Sequence, residues 1–293
     1  MPSGCLPIMP STARELMRQY LGQLESRGVT HVAVDREVLR PVGGKGAASA
    51  SAVSSAAPES SRSAAVTLPA PAHSGAAGSG KAEKLAALKK QAAESSECRA
   101  LGTFRDTMVF AVGSPDAELM FIGEAPGAEE EKQREPFVGP AGQLLTKIIQ
   151  AMGLKRSSVY ISNICKYRPA IGGGPQGSRN RPPTREEMDA CLSFIKQEIA
   201  IIQPRAIVAL GGTAANGLGL EGTVGGLRRG VHDFEGTPVF VTYHPSYLLR
   251  AEVNDGGGLR EKRAAWEDMM RVMEHVGLPI SEKQRGYFTK AIG

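Results

Sequence analysis

Four short runs beyond residue 100 are almost unbroken in apolar residues: Leu119–Gly123 (LMFIG), Val159–Asn163 (VYISN), Ala206–Gly211 (AIVALG) and Val239–Tyr243 (VFVTY). Continuous rather than alternating apolarity predicts strands buried on both faces. Between them, apolar residues recur at helical spacing and predict helices over Ala141–Met152, Thr184–Ile202, a short stretch after Gly212, and Leu259–Val276. Thr184 and Glu187 form a capping box that marks where the second of these starts. Strands alternating with helices predict a three-layer α/β/α sandwich around a central, mainly parallel four-stranded sheet. Ligands of such sheets sit beyond the carboxyl ends of the strands, so the residues that follow each run are where chemistry is to be sought.

The first third of the chain is patterned differently. Thr12 and Glu15 open a capping box, and Leu16, Tyr20, Leu21 and Leu24 follow at helical spacing until Gly28. From Gly43 to Gly80 the chain is mostly Ala, Ser, Gly and Pro, which buries too little apolar surface to repay ordering and predicts a flexible linker. A helix over Lys81–Ala93 leads out of it. The expected organisation is a helical segment over 1–42, a linker ending in a helix over 43–95, a catalytic domain over 96–280 and a tail over 281–293.

Composition changes this picture little, and charge changes it more. No run approaches the roughly 20 apolar residues of a membrane span. The first 20 residues lack the layout of a secretory signal, so the expected location is cytoplasmic. Net charge is +5, but residues 1–95 hold 11 of the 35 basic and 7 of the 30 acidic residues, which leaves the remainder nearly neutral. Contact with nucleic acid would therefore need a local basic surface. The best candidate is the Gly/Pro-rich segment from Lys166 to Arg185, with Arg168, Arg179 and Arg181 between them.

The strand ends carry polar punctuation. After the first run comes GEAPGAEEEKQREPFVGPAGQLL, Gly123 to Leu145; the second ends in Ser162-Asn163-Ile164; the fourth continues into HPSYLLR, His244 to Arg250. These residues, in this order and spacing, closely resemble the uracil-DNA glycosylase superfamily, and within it the family 4 enzymes that carry an iron–sulfur cluster. The resemblance covers roughly residues 98–277. It implies a base excision repair enzyme that flips uracil out of DNA and hydrolyses its N-glycosidic bond, leaving an abasic site without cutting the strand. The alternative on the same fold is a non-catalytic protein that binds uracil-containing or damaged DNA. A nucleotide-metabolising enzyme of another kind is disfavoured by the lack of a G-x-x-x-x-G-K-[ST] phosphate loop.

The resemblance also assigns roles. Phe137 would stack on the extruded base and Asn163 would read its edge, since an amide offers the donor and acceptor that uracil presents in complement. His244 would donate to uracil O2 as negative charge develops there. The turn containing Ala125 and Gly127 would bring backbone amides to the base, Glu124 would position loop and water, and Glu130 would fill the space beside C5 that thymine needs. Some superfamily members have a water-activating Asp where this chain has Ala125, so general-base help must come from elsewhere or be dispensed with, and a slower enzyme is expected. Ser246, Arg250 and Arg168 would contact phosphates, and Leu248 or Leu249 would wedge into the gap left by the flipped nucleotide, with plain packing of one leucine as the alternative.

The metal is where this chain departs from the family. Family 4 enzymes hold a [4Fe–4S] cluster on four thiolates, and here Cys98 and Cys191 fall on two of these positions while Ser95 and Tyr167 fall on the others. Oxygen ligands suit such a cluster poorly. The expectation is no cofactor, against the alternative of a cluster or another metal held by Cys98, Cys165 and Cys191. The expected partner is uracil-containing DNA, bound by a monomer with no membrane contact. Gln284 to Phe288 faintly resembles a sliding-clamp-binding peptide, against the alternative of an ordinary tail.

Overall fold

The structure, a computed structural model, describes residues 75–172, 175–254 and 257–288, which fall within one compact unit. The expected N-terminal helix after Thr12 and most of the expected linker lie outside the described residues.

Six strands make the main sheet, in the order β2-β4-β3-β6-β8-β7. The four apolar runs are its centre: β3 (Leu119–Gly123), β4 (Tyr160–Asn163), β6 (Ala206–Leu210) and β8 (Thr237–Thr242), with neighbours parallel throughout. Two short antiparallel strands extend this expected core at its edges, β2 (Val112–Gly113) on β4 and β7 (Val231–Phe234) on β8. A separate two-stranded ribbon pairs β1 (Phe104–Met108) with β5 (Tyr167–Pro169).

Helices cover both faces, because alternate residues of each central strand point opposite ways and both sets are apolar. On one face Met120, Ile122, Ile207 and Val241 pack with α1 (Gly75–Ala93), α5 (Arg185–Ile202) and α6 (Gly212–Gly217) through Leu88, Ile195 and Ala214. On the other, Phe121, Ile161, Val208 and Phe240 meet α4 (Pro140–Ala151) and α9 (Leu259–His275) through Leu145, Ile149, Trp266 and Val272. The remaining helices are short: α2 (Ser96–Ala100), α3 (Ala128–Gln133), α7 (Val224–Leu227), α8 (Pro245–Asn254) and α10 (Glu282–Arg285). The Thr184/Glu187 capping box forms as the sequence predicts.

Two boundaries differ from expectation. The helix expected from Lys81 begins at Gly75, inside the predicted linker, and packs along α5, where Lys81 Nζ donates to the Ile202 carbonyl at the end of that helix (3.0 Å). The start of the tail is also pinned: Trp266 Nε1 donates to Gln284 O (2.8 Å), the Gln284 amide donates to Ala151 O (2.8 Å), and Tyr287 packs its ring on Trp266. Gln284 and Tyr287, two of the residues that suggested a clamp-binding peptide, are thus engaged by the body. Among the described residues no helix is long and apolar enough to cross a membrane.

Candidate active site

A cleft of about 660 Å³ opens at the carboxyl ends of β3, β4, β6 and β8. Its walls include Glu124, Ala125, Gly127, Glu130, Phe137, Asn163, His244, Ser246 and Arg250. Nine of the twelve site residues expected from sequence therefore meet in one place.

Its depth depends on missing side chains. Gly123 ends β3 beside Asn163, and a Cβ there would lie 2.4 Å from both Asn163 Oδ1 and Phe137 Cζ. Gly142, in the first turn of α4, sits where a Cβ would fall 1.9 Å from the Phe137 carbonyl. Phe137 itself is buried and has φ of +55°, a left-handed conformation that a bulky residue holds only when its surroundings enforce it.

Glu130 supplies part of that enforcement. Its carboxylate accepts from the amides of Gly127 (3.2 Å), Val138 (3.0 Å) and Gly139 (2.9 Å), so it ties the turn after β3 to the segment that carries Phe137. Glu131 is also engaged by the fold, pairing with Arg105 (2.6 Å) and Arg168 (2.9 Å).

His244 follows β8, with its ring centroid 5.8 Å from that of Phe137. The Ser246 amide donates to its Nδ1 (3.1 Å), and the Ser246 hydroxyl lies 2.8 Å from the same nitrogen while accepting from Arg250 (3.3 Å). Nδ1 is thereby the acceptor, and the ring proton resides on Nε2. Burial, with the Arg250 charge nearby, holds the imidazole down to about 4, so the ring is neutral at physiological pH. Burial acts on Glu124 in the opposite sense, holding its carboxyl above the usual range despite the Thr213 hydroxyl and Arg250.

Several expected contacts fail. Arg168 is buried, with four of its five N–H donors committed to Asn180 Oδ1, Glu131, and the carbonyls of Gly177 and Arg179, so it organises the loop rather than facing a phosphate. Lys166 is buried against Glu198, and Arg181 is forked onto Glu187. The expected basic patch is therefore largely neutralised inside the fold. Leu248 is fully buried, which leaves Leu249 as the only one of the two leucines with surface to wedge with.

Other lining residues were missed in the sequence. Asn180 stands at the mouth, its amide nitrogen 3.2 Å from where a Cβ of Gly127 would be. Tyr243 and Tyr247 stack there at 5.0 Å, and the Arg228 guanidinium lies over Tyr243. No local spacing links these residues to the motifs, so only the folded chain brings them together.

Comparison with known proteins agrees with this geometry. Residues 110–270, just over half the chain, match the model of the uracil DNA glycosylase superfamily. The chain belongs to the uracil DNA glycosylase superfamily. Within the superfamily it is 41% identical over 159 residues to the type-4 uracil-DNA glycosylase of Thermotoga maritima, covering 52% of this chain and 76% of that one. It is 36% identical over 167 residues to the type-4 enzyme of Pyrobaculum aerophilum, covering 51% of this chain and 77% of that one. The type-5 enzyme of the same organism is 32% identical over 156 residues, covering 49% and 66%.

The four positions at which the family holds its cluster form a packed, hydrogen-bonded cross-link here. Tyr167 is buried, and its hydroxyl donates to Ala92 O (2.6 Å) at the end of α1. Ser95 Oγ caps α2 by accepting from the Cys98 amide (3.2 Å). Cys98 and Cys191 stand 3.6 Å apart, sulfur to sulfur, and Cys165 lies 3.7 Å from the Glu187 carbonyl. Contact with Cys191 and burial push the Cys98 thiol far up, and contact with Cys165 and burial push Cys191 up to about 12. Three cysteines beside a tyrosine committed elsewhere are one thiolate short of a four-thiolate cluster and do not fit it.

Proposed function

We propose that this protein is a monofunctional uracil-DNA glycosylase acting in base excision repair, and that it works without the iron–sulfur cluster of its family. The observation that carries the reading is the convergence of Phe137, Asn163 and a neutral, Nε2-protonated His244 on one cleft. Uracil in a duplex is inaccessible in the stack and must enter such a cleft as a flipped nucleotide. Phe137 stacks on it and Asn163 matches its N3–H and O4.

As the glycosidic bond breaks, negative charge grows on the departing uracil and positive charge on the sugar. His244 Nε2–H donates to O2, and a neutral donor fixed by Ser246 gains most from its position in the transition state. Glu124, on the floor of the cleft, holds loop and water. Because Ala125 offers no carboxylate beside it, water captures a largely dissociated oxocarbenium ion with little activation. Glu130 spends three acceptor positions on the turns, so it acts on C5 selectivity by holding Phe137 and the Gly127 turn in place. Arg250, exposed at the rim, and Ser246 face the DNA backbone, and Leu249 fills the vacated stack. We propose that it acts as a cytoplasmic monomer.

The absence of a cluster rests on donor chemistry: two of four ligand positions are a capping Ser and a hydrogen-bonded Tyr. The main test of function uses end-labelled oligonucleotides with one uracil opposite A, opposite G or unpaired, incubated with the protein and then treated with alkali. Alkali-dependent cleavage at the uracil is expected. No cleavage on any substrate overturns the reading.

A further inference from the structure

Lys166 follows Asn163 by three residues, between β4 and β5. Its side chain is fully buried, a rare state for a lysine, and its ammonium makes two hydrogen bonds and one ion pair, with three separate groups. These are Ser162 Oγ (2.7 Å), the backbone carbonyl of Asn163 (3.0 Å) and Glu198 Oε1 (2.7 Å). Glu198 comes from the middle of α5 and is also fully buried, and that burial pushes its carboxyl up against the pull of the ammonium.

An internal ion pair of this kind is rarely worth more to stability than apolar residues of the same size, because desolvation consumes the attraction. What this pair does achieve is local. β2 pairs with β4 only at Tyr160 and Ile161, so beyond Ile161 that edge of β4 has no neighbouring strand. The Lys166 ammonium takes over there, fixing the last two residues of β4 from behind. In front, the missing side chain of Gly123 leaves the space that the Asn163 amide occupies.

We propose that Lys166, held by Glu198, is a positioning residue that fixes the backbone of Asn163 and so aims the amide that reads the base, an inference that rests on the base-reading role given to Asn163 above. Rotation of the Asn163 peptide would swing its side chain, and misplacement by about 1 Å is enough to cost on the order of 10² in rate.

The test is a cycle of four proteins: wild type, Lys166→Met/Glu198→Gln, Asn163→Ala, and all three substitutions together. Removing both partners avoids stranding a lone charge. The double variant is expected to melt cooperatively and to lose about tenfold or more in single-turnover uracil excision, with looser discrimination against cytosine. In the Asn163→Ala background the same two changes should cost less than about twofold, because the group they aim is gone. Equal losses in both backgrounds, or wild-type turnover in the folded double variant, overturn the proposal. If the double variant does not fold, Glu198→Gln alone replaces it, with a smaller expected loss judged by the same comparison. Wild-type excision separately tests the function. If it is absent, that reading falls, and the ratio of dissociation constants for uracil- and cytosine-bearing single strands in the same four proteins decides the positioning role.

Discussion

Replacing Gly123 with Ala adds one methyl group at the floor of the cleft, and the structure says what it would strike. Its carbon would stand 2.4 Å from Asn163 Oδ1 and 2.4 Å from Phe137 Cζ, roughly 1 Å inside ordinary contact with each. Neither neighbour yields easily. Phe137 is pinned in a left-handed conformation by the Glu130 bridges and by the close approach of Gly142, and Asn163 closes the end of a central strand. Overpacking of this kind costs about 1–3 kcal/mol of stability, a loss a domain of this size survives. The larger effect falls on chemistry, because both displaced groups are the ones assigned to hold the base, and a shift of about 1 Å corresponds to a loss on the order of 10² in rate. Single-turnover excision from a uracil-bearing single strand, measured beside a thermal melt, separates the two effects. Gly225→Ala is the control, since a Cβ there meets nothing within 4 Å. A Gly123→Ala protein that excises uracil at the wild-type rate would refute the placement of the pocket.

Removing the His244 donor by His244→Ala should lower single-turnover excision by about 10²–10³ while leaving uracil-DNA binding within a few fold; equal losses in rate and affinity would show that it serves binding instead. With His244 held down to about 4, excision should stay level from neutral pH to about pH 5 and decline only nearer 4. The same depression makes the unfolded chain the better proton acceptor below about 6.5, so stability from this group is lost as pH falls from there toward 4, and melts should show wild type losing more than His244→Ala over that window. Tyr167→Phe removes the hydrogen bond to the Ala92 carbonyl, which keeps its contact with the Ser95 amide, and should cost about 1 kcal/mol in chemical denaturation without changing excision; an unchanged midpoint would contradict the cross-link. Iron and sulfide analysis of anaerobically purified protein should find neither, whereas Ser95→Cys/Tyr167→Cys, which restores the four-thiol pattern, should turn brown on reconstitution; about four irons in the unaltered chain would overturn the ligand count.

The sequence disclosed the parts of this molecule whose signal is local. Buried parallel strands announce themselves as apolar runs, and β3, β4, β6 and β8 fall within a residue or two of those runs. The site motifs were legible because strand ends place them on one rim, whatever lies between them. Edge strands β2 and β7 escaped because two and four residues with exposed sides carry neither an apolar run nor a clear alternation. The basic loop misled for a different reason. Charge in a sequence reads as surface, and nothing near Lys166 or Arg168 reveals the carboxylate waiting for each in the fold, Glu198 and Glu131 more than 30 residues away, while Arg181's partner Glu187 is spoken for in the sequence as a helix cap. Glu130 was placed in the site, but its position in an acidic run hides the three amides it binds.

Those internal pairings have a consequence for how the protein would meet DNA in solution. A protein that holds a phosphate backbone with lysines and arginines expels condensed cations, and its affinity falls with salt by about 0.9 logarithmic units per tenfold rise for each phosphate neutralised. Five free cations on the 166–185 loop would give that loop a slope of about −4.5. With Lys166, Arg168 and Arg181 occupied by Glu198, Glu131 and Glu187, at most Arg179 and Arg185 remain, and the share drops to about −2. Binding would then depend less on ion release and more on the shape of the cleft and the flipped base. A tenfold rise in salt would then cost this loop's contribution roughly 100-fold, against more than about 10⁴-fold for five free cations.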